Sequence, residues 1–171
     1  LVKIKEYGLG DLYTNFDPGS GGALDAAISG AFAKGQPIVT YYWTPTSLMG
    51  KPEIDMVRLT EPAYDKACRD AMMVVVNKIK ADGPDAYEPS CENEYKDMAL
   101  TKLATGKFAK SFPEIIEFAN AYTITTSVVN NMLAYYVDES DGDMDATAMH
   151  YLKNHSEWEA WVPAEVAAKV K

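Results

Sequence analysis

Three adjacent aromatic residues at the end of an apolar run are the part of this chain best suited to binding chemistry. The run starts after Pro37 with Ile-Val-Thr, continues with Tyr41, Tyr42 and Trp43, and is stopped by Pro45. Aromatic faces attract a cation that cannot donate hydrogen bonds, by roughly 0.5–2 kcal/mol per ring. The segment therefore predicts a site for a quaternary ammonium group.

The simpler interpretation of Trp43 is a core tryptophan at the end of a strand. Successive side chains of an extended segment point to opposite faces, so one face cannot bury Tyr41, Tyr42 and Trp43 together. At least one of the three rings must therefore point away from the core. The residues alone leave open which ring does so.

A glycine-rich loop, residues 17–22, precedes this run and reads Asp-Pro-Gly-Ser-Gly-Gly. Ser20 is a good N-cap for a following helix, and the free N–H groups at a helix start favour an anion such as a carboxylate. The simpler alternative is that Ser20 only caps the helix. A nucleophile elbow would need glycine at Pro18, and a phosphate-binding Walker loop would need a Gly-Lys-Ser/Thr ending.

Other groups with possible chemistry are weaker candidates. An acidic segment faintly resembles a calcium loop and contains Asp138, Asp141, Asp143 and Asp145. The spacing of these aspartates departs from the calcium-binding motif, and helix capping explains them more simply. His150 and His155 lie far in sequence from any serine or cysteine with a nucleophile's setting. The sequence therefore predicts no catalytic residue, no metal site and no cofactor.

Composition excludes several classes of protein. The chain has 171 residues, of which 47% are hydrophobic and 24% charged, as expected for one folded domain. A net charge of −9 argues against a nucleic-acid partner, because phosphate binding needs clustered Lys and Arg. No apolar run is long enough to span a membrane. We expect no signal segment within the chain, and its start at Leu1 suggests a trimmed sequence.

The elements that must position the aromatic run follow from periodicity. Apolar residues from Ala23 recur at helical spacing until Gly35, after a short extended piece at 13–16 and before the run 38–43. This order of strand, helix and strand is typical of a βαβ unit and predicts a parallel pair. Two further stretches, 56–59 and 72–76, are read as strands, and 96–103 fits either a strand or a helix, with the strand favoured.

The second half reads mainly as helices. Pro113 suits the first position of one helix. The next two helices have candidate N-caps at Thr125 or Thr126 and at Asp143 or Asp145. Ser156 with Glu159 suggests a capping box at the start of a fourth helix. The predicted fold class is therefore α/β, with a mostly parallel sheet, flanking helices and a helix-rich C-terminal half. Cys68 and Cys91 are compatible with one disulfide or with two buried thiols.

In this order the motifs resemble the substrate-binding proteins of ABC transporters for glycine betaine, proline betaine, choline and related compatible solutes. The resemblance covers nearly the whole chain, and its most specific part is the Tyr-Tyr-Trp-x-Pro run. It rests on these pieces: Tyr7-Gly8-Leu9, the 17–20 turn, Lys34-Gly35, the 37–45 run, Val57-Arg58-Leu59, Phe112-Pro113-Glu114-Ile115, and Trp158 with Trp161.

The resemblance implies a type II periplasmic-binding-protein fold, with two α/β lobes that close over a ligand whose trimethylammonium group lies in an aromatic cage. It identifies Trp43 as one cage wall, with Tyr42, Tyr41, Ser20 and Thr44 as further candidate ligand residues. It also favours a disulfide between the two cysteines. Family members often carry His or a further Trp after this motif. This chain has Thr-Ser-Leu at 46–48 instead, which leaves the preferred solute open.

Family members are longer, so the chain resembles their C-terminal part. Residues 1–45 would then belong to one lobe, and residues 46–171 would contain the crossover and mainly the other lobe. Other walls of the cage would lie in the missing part.

The implied function is that of a non-enzymatic, extracytoplasmic solute-binding protein of an ABC importer that serves osmoprotection. Its partners would be a zwitterionic or cationic solute and membrane permease subunits, and it would be a monomer, periplasmic or attached to the outer cell surface. Two alternatives come from other classes of protein. One is a small α/β enzyme with an anion site at 19–22, and the other is a calcium-stabilised interaction module.

Overall fold

The computed structural model describes residues 2–83 and 90–170, and the regular elements in these ranges are helices. Eight of them are α-helices: α1 Val2–Glu6, α2 Gly21–Ala33, α3 Lys66–Asp82, α4 Gly106–Ser111, α5 Pro113–Ala121, α6 Thr126–Asp138, α7 Met144–Asn154 and α8 Ala164–Val170. Two short 3-10 helices span Leu48–Gly50 and Glu157–Trp161. None of the helices described is long and apolar enough to cross a membrane.

The chain divides into two compact units. Unit 1 comprises Leu1–Gly19 and Val57–Leu100, and unit 2 comprises Ser20–Met56 and Thr101–Lys171. Unit 1 therefore contains α1 and α3. Unit 2 contains the other helices and the whole aromatic run.

The predicted α/β class with a mostly parallel sheet is wrong. Within residues 2–83 and 90–170 no residue lies in a β-strand, and the 13–16 and 38–43 segments have no ladder partner there. A strand exists only when its backbone groups pair with a neighbour, and side-chain type alone does not supply that neighbour. The predicted βαβ unit is therefore absent from the described residues, although the helix at its centre is present.

The predicted strand at 72–76 is instead the middle of α3. Its valines favour a strand, but Met72, Val75 and Ile79 recur at helical spacing, with Met72 buried and the other two half-buried. The Asp65 carboxylate caps the helix by accepting a hydrogen bond from the Cys68 N–H at 2.7 Å. The helical period and the cap together outweigh the local β-propensity.

The stretches 56–59 and 96–103 also form no strand. Val57 and Leu59 are 79% and 63% exposed, and Leu100 is 86% exposed. Apolar side chains in an extended segment stabilise a strand only when they are covered by a packed layer. Apart from Met56, which packs on the core of unit 2, these segments have no such cover within the ranges that the structure describes.

Unit 1 is held together largely by polar contacts. The buried Glu6 carboxylate accepts hydrogen bonds from the Ser90 N–H at 2.7 Å and from its hydroxyl at 2.8 Å. Glu61 pairs with Lys3 and accepts a hydrogen bond from the Tyr7 hydroxyl at 2.8 Å. Burial raises the pKa of the Tyr7 phenol to about 12, and the bond to Glu61 contributes in the same direction.

A disulfide joins α3 to the segment that follows residue 90. The sulfur atoms of Cys68 and Cys91 lie 2.01 Å apart, and the two residues are separated by 23 positions in sequence. Unit 1 has little buried apolar surface in its described part, so this cross-link restricts a region that packing alone stabilises weakly.

We expect the double variant Cys68→Ser with Cys91→Ser to lose about 3 kcal/mol of unfolding free energy, because the unfolded chain regains the entropy of the open loop. Urea denaturation followed by circular dichroism measures the loss. Wild-type protein kept in reductant should show the same decrease. A change below about 1 kcal/mol in both samples would contradict a stabilising disulfide.

Unit 2 has a small apolar core at its N-terminal side. Ile28 of α2 is fully buried and packs with Leu48 and Ile54, which are 3% and 7% exposed. Five half-buried side chains pack around these three: Leu24, Phe32, Ile38, Tyr42 and Met56. The aromatic run is thus anchored to α2 by two of its own members, Ile38 and Tyr42.

The predicted helices of unit 2 are confirmed, with their caps. The Ser20 side chain accepts a hydrogen bond from the Ala23 N–H at the start of α2, Pro113 begins α5, Thr125 caps α6 and Asp143 caps α7. The predicted capping box at Ser156 is wrong, since that side chain makes no capping bond and a 3-10 helix follows. There the buried Trp158 is fixed by its indole N–H, which donates to two backbone carbonyls.

Candidate ligand site

The aromatic run is an extended segment whose side chains alternate between core and surface. Ile38 and Tyr42 pack on the core cluster, whereas Val39, Tyr41 and Trp43 are 55%, 55% and 45% exposed. The prediction that the run cannot bury all three rings is therefore confirmed. Tyr41 and Trp43 lie on the surface, and Tyr42 reaches inward.

The three rings nevertheless form one cluster. The ring of Tyr42 stacks on the Trp43 indole, with centroids 4.9 Å apart and planes 27° from parallel. Tyr41 lies 6.0 Å from the same indole, tilted by 33°. Trp43 is thus the central ring, and its exposed surface leaves room for a ligand to approach.

The indole of Trp43 also lies over the start of α2. A Cβ atom placed on Gly21 would lie 3.4 Å from Cη2 of Trp43, so the ring occupies the space beside the first helical residue that a side chain there would reach. Ser20 caps this helix through its side-chain oxygen. The fold therefore brings together two features that are 23 positions apart in sequence, the cap Ser20 and the tryptophan.

The start of α2 and the Trp43 indole carry partial charges of opposite sign. The first N–H groups of an α-helix have no acceptor within the helix and carry a partial positive charge. An indole face carries partial negative charge. A molecule with a cationic end and an anionic end would find a favourable partner for each at this surface.

Tyr42 has a specific polar partner on α2. Its hydroxyl donates a hydrogen bond of 2.7 Å to a carboxylate oxygen of Asp25, and both residues are half-buried. Burial raises the pKa of the Tyr42 phenol to about 12, a hydrogen bond with Thr46 acts in the opposite direction, and the bond to Asp25 and its charge raise the pKa again. Tyr42 therefore remains a protonated donor at neutral pH.

The segment after Trp43 is fastened to α6 by one buried side chain. The Oδ1 atom of Asn130 accepts hydrogen bonds from the Thr44 hydroxyl at 3.0 Å and from the Thr46 N–H at 2.8 Å. The peptide bond between them, Thr44-Pro45, is cis. Thr44 itself is exposed, so it lies beside the tryptophan with its hydroxyl proton directed to Asn130.

We expect Asn130→Ala to lower the unfolding free energy by about 2 kcal/mol, because it leaves the Thr46 N–H without an acceptor. Chemical denaturation monitored by tryptophan fluorescence measures this loss. Asn131→Ala is a matched control, because Asn131 is the next residue and its side chain is exposed. We expect it to change the unfolding free energy by less than about 0.5 kcal/mol. Equal effects of the two substitutions would show that the Asn130 contacts are not specific.

Two further contacts extend the attachment to α6. Gly50 lies so close that an added Cβ would be 2.1 Å from the carbonyl oxygen of Asn130. The Lys51 ammonium pairs with the Asp138 carboxylate at 2.7 Å. Residues 44–51 are therefore fixed along α6, and they in turn fix the direction in which Trp43 leaves the core.

The remaining sequence candidates have structural roles. Asp143 caps α7, and Asp138 pairs with Lys51. His150 stacks on Tyr135 at 3.8 Å. Among residues 2–83 and 90–170, no group of three or more His, Cys, Asp or Glu side chains is arranged to hold a metal ion.

Comparison with known families identifies the class of protein. A model of the substrate-binding domain of ABC-type glycine betaine transport systems matches residues 2–154. The chain belongs to this family. No curated protein and no solved structure matches it significantly.

Membership has consequences for function at a coarse level. The family consists of extracytoplasmic substrate-binding domains of transport systems and is not a family of enzymes. It implies a small solute as ligand and permease subunits of an ABC importer as partners. The family resemblance expected from the sequence motifs is thereby confirmed.

Proposed function

We propose that this protein binds glycine betaine or a related quaternary amine, such as proline betaine or choline, and delivers it to an ABC permease. The observation that carries the proposal is the exposed Trp43 indole, stacked on Tyr42 and beside the first residue of α2. The trimethylammonium group would lie against the indole, with Tyr41 beside it. Further walls of the cage would be supplied outside these three rings.

Aromatic rings suit the cationic end of the ligand better than polar side chains do. A quaternary ammonium group has no N–H to donate, so a carboxylate or carbonyl site gives it no hydrogen bond. Aromatic faces attract it through the ring quadrupole, by roughly 0.5–2 kcal/mol for each ring in contact. Trp gives the strongest such interaction, which makes Trp43 the main contributor.

The anionic end of a betaine would be bound at the start of α2. The N–H groups of Gly21 and Gly22 precede the first intrahelical donor, and the helix dipole favours negative charge there. Ser20 shapes this end of the helix as its cap. Because Gly21 lies beside Trp43, the two ends of a small zwitterion could be bound at the same time.

Thr44 completes the proposed set of ligand residues. Its hydroxyl donates to Asn130, and the oxygen keeps lone pairs that can accept a hydrogen bond. Choline carries a hydroxyl donor, whereas glycine betaine carries none. Thr44 would therefore favour choline-like ligands, and the helix start would favour betaines.

The physiological role proposed with this ligand set is uptake of compatible solutes for osmoprotection, with the protein acting as a monomer at the periplasmic or outer surface of the membrane. An enzyme with an anion site at 19–22 is less well supported. The nearest acidic groups are engaged, since Asp17 accepts a hydrogen bond from the Gly19 N–H and Asp25 accepts one from Tyr42.

Isothermal titration calorimetry of the full-length protein with glycine betaine, proline betaine and choline tests the proposal. We expect saturable binding of one molecule per protein for at least one of the three. Glycine and ethanolamine, which have primary ammonium groups, are the control ligands and should bind at least tenfold more weakly, since their N–H donors remain better solvated in water. Absence of binding by all three quaternary amines would refute the proposed function.

A further inference from the structure

We propose that Asp25 is a positioning residue that makes the stacked pair of Tyr42 and Trp43 a better partner for a cation, and so sets the preference of the site for a positively charged ligand. This inference rests on the proposed function. It adds a residue of α2 to a site that is otherwise formed by the aromatic run and the helix start. It also assigns that residue an effect that acts through another side chain.

The Tyr42 ring is held by the core, by Trp43 and by Asp25. The ring packs on the core around Ile28 and stacks on Trp43 at a centroid distance of 4.9 Å. The 2.7 Å hydrogen bond to Asp25 holds the hydroxyl end. Because Asp25 follows Gly21 by four residues, both lie on the same face of α2, the face that meets Tyr42 and Trp43.

The second effect of Asp25 is electronic. A phenol that donates a short hydrogen bond to a charged carboxylate gains electron density on its ring, because the acceptor draws the proton away from the oxygen. A more electron-rich Tyr42 ring lies directly behind the exposed indole on which it stacks, so a cation on that indole is attracted more strongly. The raised pKa of Tyr42, to about 12, means that the phenol keeps its proton and the bond persists through neutral pH.

A purely structural role for this pair would be costly. Phenylalanine at position 42 could fill the same space against the core without any polar atom. Placing a phenol and a carboxylate where both are half-buried requires partial desolvation of the charge, which their mutual hydrogen bond offsets in part. A contribution to ligand preference explains a polar pair at the inner edge of an aromatic site.

Two ligands of the same shape separate charge recognition from packing. Choline and its tert-butyl analogue, in which carbon replaces the ammonium nitrogen, differ in charge and hardly in size. Asp25→Asn keeps an acceptor for the Tyr42 hydroxyl but removes the negative charge. We expect this variant to bind choline about three- to tenfold more weakly and the tert-butyl analogue within twofold of wild type.

Two further variants make the test specific. Asp55→Asn removes the same charge at an exposed position of unit 2 and should leave both affinities within twofold of wild type. In the Tyr42→Phe background, Asp25→Asn should have less than a twofold effect on choline, because the hydroxyl through which Asp25 acts is gone. Calorimetry on the full-length protein gives all of these values.

Three results would overturn the proposal. Equal weakening of choline and the tert-butyl analogue would show a structural role only. An undiminished Asp25→Asn effect in the Tyr42→Phe background would show that Asp25 acts directly on the ligand. No change in choline affinity would show that Asp25 has no role in binding.

A measurement without ligand separates this proposal from the proposed function. If wild-type protein binds no quaternary amine, the proposed function fails, and nuclear Overhauser contacts between the Tyr42 ring and the Trp43 indole still test positioning. We expect these contacts to be preserved in Asp25→Asn and at least halved in Asp25→Ala. Unchanged contacts in Asp25→Ala would refute the positioning role.

Discussion

Replacement of Gly50 by alanine is expected to be the most destabilising single-methyl change in this chain, with a loss of about 3 kcal/mol of unfolding free energy. The added Cβ would lie 2.1 Å from the carbonyl oxygen of Asn130 and 2.9 Å from the backbone nitrogen of Asn131. Both atoms belong to the backbone of α6, which cannot rotate away as a side chain could. Either the 44–51 segment separates from α6 or the helix distorts.

The measurement is urea denaturation of the variant beside a glycine control. Gly30 lies inside α2 with no atom within 4 Å of an added Cβ, so Gly30→Ala should be neutral or stabilising by up to about 1 kcal/mol through helix propensity. The two variants make the same chemical change with opposite expected signs. A Gly50→Ala protein as stable as wild type would show that the segment is not packed on α6 as closely as described.

Replacement of Trp43 by alanine should weaken binding of glycine betaine or choline about tenfold or more while leaving the fold intact. The indole is the central ring of the cluster and the strongest of the three in cation–π attraction. Because it is 45% exposed, its removal opens no sealed cavity, and we expect a stability loss below about 1.5 kcal/mol. Calorimetry and thermal unfolding measure the two quantities separately.

Trp161→Ala is the matched control for this substitution. Trp161 is half-buried and packs edge-on against Tyr122 at 4.6 Å, so its loss should destabilise unit 2 while the ligand affinity stays within twofold of wild type. Trp43→Phe should retain part of the affinity, since a smaller π-face remains. Equal affinities of the Trp43→Ala and wild-type proteins would exclude the indole as a ligand contact.

Local signals predicted the helices of unit 2 but not the absence of a sheet. Caps such as Ser20 and Asp143 act within a few residues, so they can be read directly from sequence. A strand depends on a neighbour that sequence does not specify, and the run 38–43 is extended without one in the described ranges. At 72–76 the helical recurrence of Met72 and Val75 was present in the sequence and outweighed the valine content.

The candidate site could be predicted only in part for a similar reason. The aromatic types and their alternation indicated that at least one of the three rings is exposed, and the family resemblance singled out Trp43. The position of that indole beside Gly21, and the hydrogen bond from Tyr42 to Asp25, join elements that no short motif connects. Asn130 lies 86 positions from Thr44, and only tertiary packing brings an unremarkable asparagine beneath the aromatic run.

The most direct test of the proposed function is to locate the ligand's methyl groups on the protein. Isotope-filtered nuclear Overhauser spectroscopy of the full-length protein saturated with glycine betaine reports which side chains lie within about 5 Å of the N-methyl protons. We predict contacts from these protons to the Trp43 indole and to the rings of Tyr41 or Tyr42. Saturable binding whose N-methyl contacts all lie on other residues, with none to Trp43, would contradict the proposed site.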